Sequence, residues 1–370
     1  MSQNKSEGES GMNFRAIPAF FALLLAPLFL AAGCATAADS PQQQRVVAIG
    51  DLHGDYDAFK ALLMEAELIN NRGRWIGGET IFVQTGDVPD RGPDTRKIIE
   101  HLRKLQKQAP RKGGRVVTLI GNHEAMNITG DLRYVHPGEY EAFANRNSER
   151  VREATYEANR DMLEAFYLEQ DATLSSDAIK TKWFEDTPLG KLEHQAAWRP
   201  DGDIGEWVAA NPAMAIIGDS LFVHAGVSEK YTAYTIDDIN AMTAEGLETR
   251  SIDENNIIND PLGPLWYRGN VREREPAEEA PNETPLLSQE DELNLVLHTF
   301  GVQRIIVGHT PSLEGVKASF DGKVIQIDTG ISAYYGGTQS YLEIKDGDLY
   351  AHDNGVVTKI AHDSEAGETP

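Results

Sequence analysis

Short unbroken apolar runs, each breaking off into a polar loop rich in glycine, recur along the chain. Arg45-Val-Val-Ala-Ile-Gly50 reads as a buried strand and Asp51-Leu-His-Gly54 as the loop after it. Asp55 to Leu68 then carries apolar residues at Phe59, Leu62, Leu63 and Ala66, a helical spacing, and Thr80 to Gln84 is the next strand. Thr95 to Gln106 repeats the helical pattern, and Arg115 to Ile120 repeats the strand. Strand, loop and helix in alternation predict an α/β sheet containing parallel βαβ units.

From about Asp131 to Pro200 the strand signal gives way to charged stretches with helical periodicity, such as Gly138 to Leu168, which predicts a helical insertion over about 131–200. Strands resume at Ala213 to Ile217 and Ser220 to Val223, and later at Arg304 to Val307, Val324 to Ile327 and Tyr341 to Ile344. Asn270 to Glu290 is dense in Glu, Arg and Pro and reads as a solvated loop. No internal repeat is visible. The expected organisation is an export segment and linker over 1–44, one core domain over 45–360 carrying the insertion, and a disordered tail over 361–370.

The N-terminal apolar run from Ala19 to Gly33, interrupted only by Pro27, is short for a membrane span and suits the hydrophobic region of a secretory signal. It ends in Leu30-Ala-Ala-Gly-Cys34, which resembles a bacterial lipoprotein box with Ala31 where leucine is more usual. Ala35-Thr-Ala37 offers an ordinary signal-peptidase site as a second reading, and an uncleaved anchor is a third. Both leading readings export the protein, to the periplasm or the cell envelope, with membrane attachment only through a lipid at Cys34. Met12-Asn-Phe-Arg15 is a better basic n-region than the residues before it, so translation is expected to start there. Cys34 is the only cysteine, which excludes an intrachain disulfide and a thiolate metal cluster.

Lys and Arg total 34 against 58 Asp and Glu, a net charge of -24. That charge disfavours polymeric nucleic acid as a partner, and any phosphate chemistry must draw on cations held locally in a cleft. Five motifs at strand ends supply the means to hold them: Gly50-Asp-Leu-His-Gly54, Gly86-Asp-Val-Pro-Asp-Arg-Gly92, Gly121-Asn-His-Glu124, Val223-His-Ala-Gly226 and Val307-Gly-His-Thr310. Each combines a metal- or phosphate-binding side chain with a glycine that admits close backbone approach. A single histidine near a strand end is more often a structural hydrogen-bonding residue than a ligand. The ordered set, each member after an apolar strand, is not explained that way.

These motifs resemble the calcineurin-like metallophosphoesterases, and G-D-x-x-D-R-G with G-N-H-E is similar to the phosphoprotein phosphatase branch. Trp266-Tyr-Arg-Gly269, Gly308-His-Thr310 and Asp328-Thr-Gly330 followed by Tyr334-Tyr-Gly-Gly337 resemble the Shewanella-like protein phosphatases. The resemblance spans roughly Val46 to Ile344. It implies a β-sandwich flanked by helices, with two divalent ions, Mn, Fe or Zn. Asp51 and His53 would hold the first ion, Asp87 would bridge, and Asn122, His224 and His309 would complete the second. Pro311 stands where broader metallophosphoesterases often have a further histidine, so water would complete the first site.

The implied reaction is direct attack on phosphorus by a metal-bridging hydroxide. His123 would protonate the leaving oxygen, with Asp90 orienting it. Arg91 and Arg268, with Asn122, would hold the phosphate. Tyr334 and Tyr335 either wall the cleft or pack in the core. The expected function is phosphomonoester hydrolysis on a phosphorylated protein or peptide, at Ser/Thr or Tyr. The alternatives are a nucleotide or dinucleotide polyphosphate hydrolase and a catalytically inactive envelope binding protein.

Overall fold

The computed structural model describes residues 44–272 and 287–361. The N-terminal segment with Cys34, most of the Asn270–Glu290 stretch and the tail from Asp363 lie outside the described residues. The first half runs β1 (Val46–Ile49), α1 (Tyr56–Glu65), β2 (Ile81–Gln84), α2 (Thr95–Gln108), β3 (Arg115–Thr118) and α3 (Asn122–Thr129). Six helices follow: α4 (Pro137–Phe143), α5 (Ser148–Ala158), α6 (Arg160–Gln170), α7 (Ser176–Asp186), α8 (Lys191–Trp198) and α9 (Asp203–Ala209). The second half contains β4 (Met214–Ile217), β5 (Ser220–Val223), α10 (Ile236–Glu248), α11 (Gln289–Phe300), β6 (Arg304–Val307), β7 (Lys317–Ser319) and β8 (Val324–Gln326). It closes with β9 (Ser340–Lys345), β10 (Asp348–Asp353) and β11 (Val356–Ile360).

The strands form two sheets. One has the order β11-β10-β9-β1-β2-β3, the other β4-β5-β6-β8-β7. Parallel pairing joins β1 to β2 to β3, with Val47 opposite Phe82, and likewise β5 to β6 to β8, with Leu221 opposite Ile305. Antiparallel strands complete both sheets: β9, β10 and β11 on the first, β4 and β7 on the second.

Strand periodicity explains why β1 is apolar at every position. Val46 and Ala48 point into a core between the sheets, together with Val83, Phe222, Ile306, Ile325 and Leu342. Val47 and Ile49 point the other way, into a core that also contains Phe59, Leu62 and Leu63 of α1 and Ile98 and Leu102 of α2. A strand buried on both faces loses the apolar-polar alternation of a half-exposed one. The result is a sandwich with helices packed outside.

The parallel βαβ units and the expected sandwich are both present, the units being divided between two sheets with antiparallel margins. One expectation needs revision. Gln289 already begins α11, so the end of the stretch expected to be loop is helical. Among the described residues, no helix is long and apolar enough to cross a membrane.

Candidate metal centre

The parallel strands β1, β2, β3, β5, β6 and β8 all run into the same end of the sandwich, and the loops that leave them bring Asp51, Asp87, Asn122, His224, His309 and Asp328 together. Ligand sites concentrate at this end of α/β sheets because side chains from separate strands converge there without crossing the core. All six residues are buried.

Asp87 is the centre of the group. One of its carboxylate oxygens gathers with a ring nitrogen each from His53 and His123, and a second gathering comprises Asp87, His224 and His309, the atoms of each lying within 4.8 Å of one another. Asp51 Oδ2 is 4.0 Å from His53 Nε2, and His224 Nε2 is 3.3 Å from Asp87 Oδ1 and 3.0 Å from Asn122 Oδ1. The imidazoles are aimed by the backbone. A carbonyl only accepts, so His53 Nδ1–H donates to Pro89 O at 3.1 Å and His224 Nδ1–H donates to Thr85 O at 2.8 Å. That leaves a bare Nε2 on His53 facing the carboxylates, whereas Nε2 of His224 meets two acceptors, Asn122 Oδ1 and Asp87 Oδ1, and although burial opposes its protonation the Asp87 charge raises its pKa. His309 Nε2 is buried without a hydrogen-bond partner.

Local structure enforces this arrangement. His53, Asp87, Asp90, Arg91 and His309 all have left-handed backbones, with φ between 43° and 73°. Such conformations cost on the order of 1–3 kcal/mol each and persist only where the surroundings impose them. Glu124 imposes the one at Asp87, accepting from the backbone N–H groups of Asp87 (3.0 Å), Val88 (2.8 Å) and Gly121 (2.8 Å). The start of α3 closes on Asp87 from the other side, the His123 N–H donating to Asp87 Oδ1 at 2.9 Å. Only glycine fits at position 121, where a Cβ would lie 2.3 Å from that oxygen.

The electrostatics call for cations. Asp51, Asp87, Glu124 and Asp328 are all buried here. Burial, together with the charges of Asp328 and Asp87, pushes the Asp51 carboxyl well up, and burial raises Glu124 to about 7 and Asp328 to about 6. Burial also acts to raise Asp87, but the facing imidazoles of His224, His123 and His53 hold it well below the usual carboxylate range. Desolvation lowers His53 to about 3, which suits a neutral ligand. A crowd of buried carboxylates beside bare imidazole nitrogens, with an orphaned one on His309, fits divalent ions of borderline hardness.

His123 differs from the other imidazoles. Its Nδ1 is 2.5 Å from Asp90 Oδ2, and Asn127, one turn further along α3, donates to Asp90 Oδ1 at 3.0 Å and to His123 O at 2.9 Å. Burial opposes its protonation, yet Asp87 and Asp90 together raise its pKa. The Arg91 guanidinium is framed by the rings of Tyr134, Tyr334 and Tyr335 at 4.5, 4.8 and 5.3 Å. Tyr334 is 61% exposed, so it is a cleft residue and not part of the core. Tyr335 lies 5.4 Å from the His53 ring. Arg268 donates to His309 O at 2.9 Å and Thr310 Oγ1 at 2.8 Å, which anchors it beside the second cluster.

The motifs contain Glu124 and Asp328 but assign neither a part, and Tyr134 and Asn127 lie outside every motif. Asn127 alone left a usable signal, since it lies four residues after His123 on one helix face.

Comparison with known proteins places these features in context. A family model for calcineurin-like phosphoesterases matches residues 44–313. Shewanella-like protein phosphatase 2 of Arabidopsis thaliana is 34% identical over 296 residues, covering 78% of this chain and 72% of that protein. Shewanella-like protein phosphatase 1 of Plasmodium berghei is 28% identical, covering 82% and 72%. Among solved structures, a cold-active protein-tyrosine phosphatase of a psychrophilic Shewanella species aligns with a TM-score of 0.63 at 28% identity, covering 86% of this chain and 80% of that one.

Proposed function

The chain belongs to the calcineurin-like phosphoesterase family, and we propose that it is a two-metal protein phosphatase acting on phosphorylated proteins or peptides. The observation that carries this reading is the membership of Asp87 in both ligand clusters, which a bridging carboxylate requires. Asp51, His53 and Asp87 would hold one ion; Asp87, Asn122, His224 and His309 would hold the other. Two ions there would supply water activation and neutralisation of the phosphate charge. Manganese, iron and zinc all suit mixed oxygen and imidazole donors.

The side chains around the ions divide the remaining work. Arg91 and Arg268 flank the clusters from two sides and would grip the non-reacting phosphate oxygens, with Asn122 facing the same space. His123 is held by Asp90 at Nδ1, so its Nε2 is the atom free to give a proton to the leaving oxygen. The charge of Asp90 stabilises the imidazolium before transfer. The aromatic frame of Tyr134, Tyr334 and Tyr335 borders the phosphate position through Arg91, and the Shewanella relative's designation as a protein-tyrosine phosphatase supports counting phosphotyrosine among the substrates. Export, with lipid attachment at Cys34, belongs to the same proposal and rests on the N-terminal sequence.

A substrate panel tests the reading. Metal-loaded protein is expected to hydrolyse phosphotyrosine, phosphoserine or phosphothreonine peptides with a higher kcat/KM than a dinucleotide polyphosphate. The reverse order would reassign it as a polyphosphate hydrolase. No turnover of any of them, with both ions bound, would make it a binding protein.

A further inference from the structure

The loop from Asp87 to Gly92 is held at both ends, by different parts of the molecule. Glu124 of α3 clamps its start. Its end, where Asp90 and Arg91 have φ values of 73° and 64°, is held by Tyr134, after α3, and by Glu139 of α4. The Arg91 N–H donates to Tyr134 O at 2.9 Å, and the Asp90 N–H donates to Glu139 Oε1 at 2.9 Å.

Glu139 is 1% exposed and accepts a second bond on the same oxygen, from Thr95 Oγ1 at 2.5 Å. Its other oxygen lies 3.4 Å from Nε2 of His194 on α8. His194 has no exposed surface and is enclosed by the rings of Tyr140, Phe143 and Trp198 at 5.3, 5.2 and 6.0 Å. The start of α8 meets α4 closely enough that a Cβ on Gly190 would sit 1.8 Å from Tyr140 O, so only glycine fits there, and the Glu139 Oε2 and His194 Nε2 that face one another have no other hydrogen-bond partner. A buried carboxylate facing a buried imidazole is costly to build in an apolar box, and an aliphatic pair would fill the same space more cheaply.

From these contacts we infer that Glu139 and His194 are positioning residues for the proton-donating pair. They fix the backbone of Asp90 so that its carboxylate meets His123 Nδ1, and the helical segment thereby completes the site. Neither residue touches the phosphate position. The inference rests on the reading of His123 as the acid, and its test is arranged so that the two can fail separately.

The test uses two aryl phosphates that differ in their need for a proton. Phenyl phosphate leaves as a basic phenoxide and requires the acid; 2,4-dinitrophenyl phosphate leaves without help. In Glu139→Ala, kcat for phenyl phosphate is expected to fall by about tenfold or more, while kcat for the dinitrophenyl ester falls less than about threefold and KM for both holds within about twofold. Glu139→Gln, which keeps an oxygen for the Asp90 and Thr95 donors, is expected to recover most of the loss. If Glu139→Ala does not fold, His194→Phe, which keeps an aromatic ring at the cost of a small gain in volume and removes both nitrogens, is read in the same assays.

His123→Asn is the control and should show the same asymmetry. Equal losses on both esters in the Glu139 or His194 variant, beside an asymmetric His123→Asn, would overturn the inference alone. A symmetric His123→Asn would overturn the acid assignment and this inference with it.

Discussion

Asp87 and His123 show how one short stretch of backbone yields two different chemistries. The N–H of His123 donates to Asp87, while its ring leans away to Asp90. The ring also lies near enough to Asp87 and His53 to act as a ligand, with Nε2 3.8 Å from Asp87 Oδ2. The acid reading predicts that His123→Asn keeps both ions by elemental analysis while kcat for a phosphopeptide falls by about 10²–10⁴-fold. Loss of an ion would make His123 a ligand instead. Arg91 permits a second test at this scale. Its planar guanidinium is stacked among three tyrosines, a geometry an ammonium cannot copy. Arg91→Lys should therefore raise KM for phosphopeptides by about 5- to 30-fold, on the order of 1–2 kcal/mol of lost binding, and an unchanged KM would remove Arg91 from the phosphate site.

At the scale of elements, the sandwich is held by side chains that sit between its sheets, Phe222 of β5 among them with no exposed surface. Phe222→Ala should lower stability by about 3–5 kcal/mol, read by denaturant unfolding, because the rigid sheets cannot close over the cavity. The elements that were legible in the sequence were those with continuous apolar runs, β1, β2, β5 and β6, because both of their faces are covered. Harder to see were β10 and β11. In β10 only Leu349 and Ala351 are buried, and β11 is an edge strand with four of its five residues exposed. Helix α10 turns Ile239 and Leu247 to the core with Thr243 and Gly246 between them, so small and polar residues interrupt its apolar stripe. The site divides in the same way. Ligand candidates stood out because each follows a strand and a glycine, whereas the bonds from Glu139 to Asp90 and from Tyr134 to Arg91 join residues 49 and 43 apart and depend on tertiary folding.

For the molecule as a whole, the burial of Asp51, Asp87, Glu124 and Asp328 in one cluster couples stability to pH and to metal. Without ions, burial and mutual repulsion raise Glu124 to about 7, Asp328 to about 6 and Asp51 well up. The folded metal-free protein then binds more protons than the unfolded chain between about pH 4 and pH 7, so these groups make stability fall as pH rises through that window. His123 and His224, with raised values, act in the same direction, while His53 and His309, held low by burial, oppose it below about pH 6.5. The chelated protein should accordingly melt at a lower temperature at about pH 7.5 than at about pH 6, and metal should restore more stability at the higher pH; a chelated protein more stable at the higher pH would contradict this. The proposed chemistry depends on Asp87 joining two ions, and the metal content of Asp87→Asn tests that most directly. Elemental analysis of protein purified in parallel should find about two ions per chain in the native protein and fewer than about one in the variant, with hydrolysis nearly abolished. Two ions fully retained in Asp87→Asn would contradict the bridge and the two-metal site built on it.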